Sequence, residues 1–254
     1  MQGKGRKKIK VIKTMLFLTM IVCLIPVIQA YYLSVRHEKQ QESLQRQRKE
    51  HVMPESGISS ETGGILEQYR ELYQENKDLA GWLRIEGLNI DNPVMQCVDD
   101  EYYLSHNFYK EEDKYGCLYV RNMADIHTPG TNFIIYGHNM RDGSMFGSLK
   151  NYEKETFYKE HREIFFDTLF EERVYEIAAV FSANIYEENA FPYYQFYQAD
   201  TESEFRDFYE NVKKHAFYDT GVTAEWGDTF LTLSTCFGQR EEERLVIVAK
   251  QKKE

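Results

Sequence analysis

Cysteine, basic charge in the body of the chain, and the short motifs of nucleotide and metal sites are all scarce in this 254-residue sequence. Four cysteines exclude a disulfide-dense scaffold. Cys97 and Cys117 fall outside any CxxC or HxxxH pattern, so no metal site is expected. No GxGxxG and no P-loop occurs, which removes the usual phosphate cradles. Positive charge is short too, but unevenly so. Residues 1–50 hold 11 basic and 3 acidic side chains, a net of +8, whereas residues 51–254 hold 20 basic and 38 acidic, a net of -18. A body that acidic excludes nucleic acid as an expected partner, because phosphate binding needs a basic face.

What is present is a globular composition, 42% hydrophobic and 28% charged, behind a short basic leader. Six lysines and arginines lie between Lys4 and Lys13, and then charge stops for 22 residues, Thr14 to Val35. About 20 apolar residues span a bilayer core. The basic flank is expected to keep residues 1–13 in the cytoplasm and to send the body outside. Tyr31 and Tyr32 fit an interfacial aromatic anchor. A cleaved signal peptide, with Ile28 and Ala30 at the cleavage site, is the rival reading; the length of the run favours an uncleaved anchor over 14–35.

Residues 36–51 are polar all round, and 54–64 (PESGISSETGG) read as a Gly- and Ser-rich linker. Stalk and linker are therefore assigned to 36–64, and one folded domain to 65–254. Within it, Ile65, Leu66, Tyr69, Leu72 and Tyr73 have helical spacing over 65–77, as do Phe205, Phe208, Tyr209 and Val212 over 201–215. Strand-type runs fall at 82–98, 116–122, 131–139, 174–186, 227–236 and 244–251. Many short strands without βαβ alternation predict a mostly-β barrel or sandwich.

Two of these runs end in residues able to do chemistry. Cys236 closes LTLSTC, just before Gly238, and His138 closes FIIYGHN. A buried cysteine is usually an inert small hydrophobe, and a histidine at a strand end is usually structural. Together in an extracytoplasmic domain they provide a nucleophile and an acid/base, if the fold joins them. Arg244 opens the next strand and would stabilise an oxyanion; Arg240, in the intervening turn, is the local competitor. Cys97 and Cys117 are either free or bridged to each other.

These segments resemble the class B sortases. IIYGHNMRDGSMFGSLKNY (134–152) is similar to the family's histidine segment, TLSTC (232–236) to its cysteine motif and RLVIVAK (244–250) to its arginine strand. NKDLAGWLRI (76–85) and NPVMQ (92–96) extend the likeness, which covers about 76–250. The resemblance implies an eight-stranded sortase β-barrel with peripheral helices, preceded by the membrane helix, and the 201–215 helix is the one that class B enlarges. It implies a cysteine transpeptidase without cofactor. Cys236 would attack after a threonine in the C-terminal sorting signal of a secreted protein. His138 would protonate the leaving amine, Arg244 would hold the carbonyl oxygen, and Ser234 and Thr235 would line the substrate groove. An amine of the peptidoglycan precursor or cross-bridge would then take the acyl group. Some class B members carry an acid two residues after the cysteine; here Gly238 stands there, so no carboxylate is assigned to orient His138.

Overall fold

The computed structural model describes residues 2–50, 64–126, 130–187, 190–237 and 240–253; the side chains of 2–11, 236, 237, 240 and 241 lie outside the description, as does most of the 54–64 linker. The chain divides into two compact units, Met1–Ser43 and Leu44–Glu254. Helix α1 (Gln2–Glu50) runs from the first into the second. From Ile12 it is long and apolar enough to cross a membrane.

In the second unit α2 (Glu67–Glu75) precedes β1 (Leu79–Ile85), β2 (Ile90–Met95), β3 (Leu118–Tyr119) and β4 (Asn132–Tyr136). Then come α3 (Glu155–Glu160), β5 (Glu163–Thr168), β6 (Val174–Asn184), α4 (Glu202–His215), β7 (Phe230–Phe237) and β8 (Arg240–Gln251). The eight strands close into a barrel in the order β1-β2-β3-β4-β7-β8-β6-β5. Pairs β2–β3 and β4–β7 are parallel and the rest antiparallel. The expectation of a barrel or a sandwich resolves to the eight-stranded barrel that the resemblance implied.

The last two strands read as continuous apolar runs because both of their faces are covered. Leu231, Leu233, Leu245, Ile247 and Ala249 fill the barrel interior. Phe230, Val246 and Val248 face outward under α4, against Phe205, Phe208 and Val212. That helix starts where its capping box dictates: Thr201 accepts from the Glu204 N–H, and the Glu204 carboxylate accepts from the Thr201 N–H. Strand β5, absent from the expectations, alternates half-buried and buried residues and closes the barrel against β1. Its Phe166 is fully buried and stacks on Phe133, with ring centroids 5.2 Å apart. Phe166→Ala should cost about 3–5 kcal/mol, read by calorimetry as a melting point lower by roughly 10 °C.

The expected solvated stalk behaves differently at its far end. Leu44 is buried, Gln45 donates to the Asp91 carbonyl at 2.9 Å, and the Arg48 guanidinium sits 5.0 Å over the Trp82 ring. Arg48 and the Trp82 indole N–H both reach Asp91 Oδ1, at 3.2 and 2.6 Å. One leucine and one arginine make no periodic stripe, so hydropathy carries no trace of this docking. Cys97 and Cys117 are free. Leu118 pairs with Val94, Cys97 lies two residues beyond the end of β2, and both cysteines belong to one apolar cluster with Trp82 and Met95.

Candidate active site

His138 lies two residues beyond the end of β4, and the parallel β4–β7 pairing sets its level. Tyr136 pairs with Ser234, and the Gly137 N–H donates to the Ser234 carbonyl at 3.3 Å. His138 therefore follows the end of β4 at the end of β7 where Cys236 follows Ser234. Neighbouring strands lie about 4.8 Å apart. On the other side, antiparallel β8 sets Arg244 opposite Cys236. Cys236 and Arg244 thus face each other across β7 and β8, and His138 leaves the neighbouring β4 at the same end of the sheet. Just past the Cys236–Arg244 pair the register slips, and Phe237 pairs with Arg240. Such a bulge re-aims side chains beside a functional site. It also separates the two arginine candidates, since Arg244 and not Arg240 is the cross-strand neighbour of Cys236.

His138 and Arg244 border one groove of about 530 Å³, shared with Ser234, Thr235, Tyr136 and Tyr193. The side chains of Cys236 and Arg240, and the whole of Gly238, lie outside the described residues. The hydroxyls of Ser234 and Thr235, next to the thiol in sequence, are both engaged. Ser234 Oγ meets the Tyr193 hydroxyl at 2.7 Å, and Thr235 Oγ1 donates to the Gly137 carbonyl at 2.6 Å. The second bond ties β7 to the segment that carries His138. A larger hollow, about 750 Å³, lies among Glu171, Asp228 and Lys252 and holds none of the motif residues, so size alone does not locate the site.

The described lining contains His138, Arg121 and Arg244 but no carboxylate, in a body of net charge -18. Arg121 stacks 5.3 Å over the Tyr136 ring, and burial pushes the Tyr136 phenol up. The other thiols outside the apolar run are poor nucleophiles: burial raises those of both Cys97 and Cys117. The His138 ring is held by a contact that sequence reasoning missed. Its Nε2 lies 2.7 Å from the main-chain carbonyl of Leu104. A carbonyl only accepts, so Nε2 carries the hydrogen and Nδ1 is left for chemistry. Arg121, Tyr136 and Tyr193 were missed as well. Tyr193 arrives from the turn between β6 and α4, and nothing in FPYYQFY distinguishes it from its neighbours.

Comparison with known proteins agrees with this geometry. The Sortase domain family matches residues 83–252. Sortase B of Listeria monocytogenes is 32% identical over 202 residues, covering 77% of this chain and 78% of its own. A crystal structure of a Bacillus anthracis protein similar to sortase B superposes with a TM-score of 0.75 at 31% identity, over 87% of this chain and 97% of that one. A Staphylococcus aureus sortase B–substrate complex also gives 0.75, at 25% identity, over 87% and 98%. With the barrel, the strand order of its motifs and these relatives in agreement, the chain belongs to the sortase family, class B, the cysteine transpeptidases.

Proposed function

We propose that Cys236 is the nucleophile, His138 the general acid and Arg244 the oxyanion partner of a reaction that cleaves a C-terminal sorting signal after threonine. The thiolate sulfur adds to the threonine carbonyl carbon, and negative charge develops on the carbonyl oxygen. The Arg244 guanidinium offers that oxygen a fixed, permanently charged fork of donors. As the C–N bond breaks, the departing nitrogen takes a proton from His138 Nδ1, leaving a thioacyl enzyme. An amine of the cell-wall peptide then attacks the thioester, gives its proton back to the imidazole and expels the thiolate. The observation that carries this reading is the pairing of Cys236 with Arg244 beside the end of β4, from which His138 joins Arg244 in lining one groove.

Ser234 and Thr235 form the groove wall beneath the reacting bond. The apolar run over 14–35 anchors the enzyme, with residues 1–13 in the cytoplasm and the barrel on the outer face of the membrane. Transfer is separated from simple hydrolysis by incubating enzyme and a sorting-signal peptide with and without a cell-wall peptide amine. Mass spectrometry should find the peptide–amine adduct as the main product when the amine is present. Hydrolysed peptide alone, at every amine concentration, would identify an extracytoplasmic cysteine peptidase instead.

A further inference from the structure

The hydrogen bond that orients His138 comes from a main-chain carbonyl, so whatever holds that carbonyl acts on the imidazole. Among the described residues no carboxylate touches the ring. Leu104 ends a 3₁₀ turn, Tyr102–Leu104, all three carbonyls of which are engaged. Tyr102 O accepts from the Ser105 N–H at 3.2 Å and lies 2.8 Å from His106 Nδ1. Tyr103 O accepts from the Cys117 N–H at 2.8 Å, and Leu104 O meets His138. Gly116, at φ +58°, presses on the same turn: a Cβ there would lie 2.3 Å from Tyr103 O and 2.9 Å from Leu104 O.

We propose that Tyr103, bracketed by Asn76 and Asp78, is the positioning residue that holds the Leu104 carbonyl against His138 and so selects its tautomer. This rests on the reading of His138 as the general acid. The Tyr103 hydroxyl donates to Asp78 Oδ2 at 2.8 Å and accepts from Asn76 Nδ2 at 2.9 Å. Asn76 Nδ2 also donates to the Phe108 carbonyl at 2.7 Å, and Asn76 Oδ1 accepts from the Asp78 N–H. Lys110 closes the bracket with an ion pair to Asp78 at 2.9 Å. Burial pushes the Tyr103 phenol up, so it stays a donor to the carboxylate.

The bracket roots the turn in the junction between α2 and β1, outside the groove. A buried tyrosine is ordinarily core packing. Here its hydroxyl is spent on a polar cluster, and the next residue's carbonyl is spent on the imidazole. With Nε2–H fixed on Leu104 O, proton traffic is confined to Nδ1. If the turn relaxes, the neutral ring left after acylation divides between its two tautomers, and a fraction of the thioacyl enzyme presents an N–H where a lone pair is needed to take the proton of the incoming amine.

Two measurements on the full chain test this. Long-range ¹⁵N–¹H spectra of histidine-labelled protein at alkaline pH, with His138 assigned by its loss in His138→Gln, should show the Nε2–H tautomer in the wild type. Tyr103→Phe should give a mixture of tautomers. In the peptide assay its kcat should fall on the order of tenfold with KM within about twofold, the pattern of a misplaced catalytic group. Asp78→Ala, milder because Asp78 is partly exposed, should move both readouts the same way and serves if Tyr103→Phe does not fold. Phe166→Ala, which lowers stability elsewhere in the barrel, should leave the tautomer unchanged. A pure Nε2–H tautomer and wild-type kcat in folded Tyr103→Phe or Asp78→Ala would overturn the proposal. Wild-type turnover in His138→Ala would instead remove the acid role, and with it the catalytic meaning of the bracket, while leaving the tautomer result intact.

Discussion

Cys236→Ala should reduce cleavage of a fluorogenic sorting-signal peptide on the order of 10⁴-fold or more, the cost of deleting a covalent nucleophile. No other thiol is placed to substitute. Cys23 lies in the apolar run, and burial raises the Cys97 and Cys117 thiols, which lowers the thiolate fraction available for attack. The loss should appear in single-turnover experiments as the absence of the mass shift of an acyl-enzyme, with peptide binding retained. Cys236→Ser is the sharper variant, because it keeps an oxygen nucleophile in place. It should be nearly as inactive, since a hydroxyl ionises far less readily than a thiol. Substantial turnover in either variant would falsify the thioacyl route and send the search for a nucleophile elsewhere in the groove.

The second large effect is expected at Arg244. Arg244→Lys keeps the charge but loses the planar fork, and kcat should fall on the order of 10²-fold, the scale seen when one preorganised oxyanion donor is removed. Arg244→Ala should lose more. KM for the peptide should change little in either variant, because the charge on the carbonyl oxygen develops only as the bond is attacked. Arg240→Ala provides the comparison. Arg240 pairs with Phe237 across the bulge, not with Cys236, so its removal should leave turnover near that of the wild type. A loss confined to Arg240→Ala, with Arg244→Lys fully active, would reverse the assignment. Steady-state kinetics on purified, folded variants decides between the two.

Local order along the chain announced much of this protein, and the particular residues explain why. The uncharged run from Thr14 to Val35 needs no partner to be read, because length and hydropathy are properties of the segment itself. The α4 boundary is equally local, since Thr201 and Glu204 satisfy each other's backbone groups within one turn. His138 and Cys236 were legible as strand-end residues, since FIIYGHN and LTLSTC each finish a β-branched run in a glycine-bearing loop. Strand β5 was not legible. EIFFDT is short, and it becomes a strand because β1 and β6 pair with it on either side.

By itself, then, the sequence determined the acidic body behind a basic leader and apolar run, the mostly-β class, and three motifs in the order His, Cys, Arg. Tertiary structure decided which of two arginines stands opposite Cys236, because cross-strand register is fixed by long-range pairing and by the bulge at Phe237. It decided the docking of Leu44 and Arg48 on the barrel, which two isolated side chains cannot announce. It decided as well that the partner of His138 is the Leu104 carbonyl. Every residue carries that same carbonyl, so its identity is invisible in the amino-acid order, and only the path of the folded chain brings it within 2.7 Å of the imidazole.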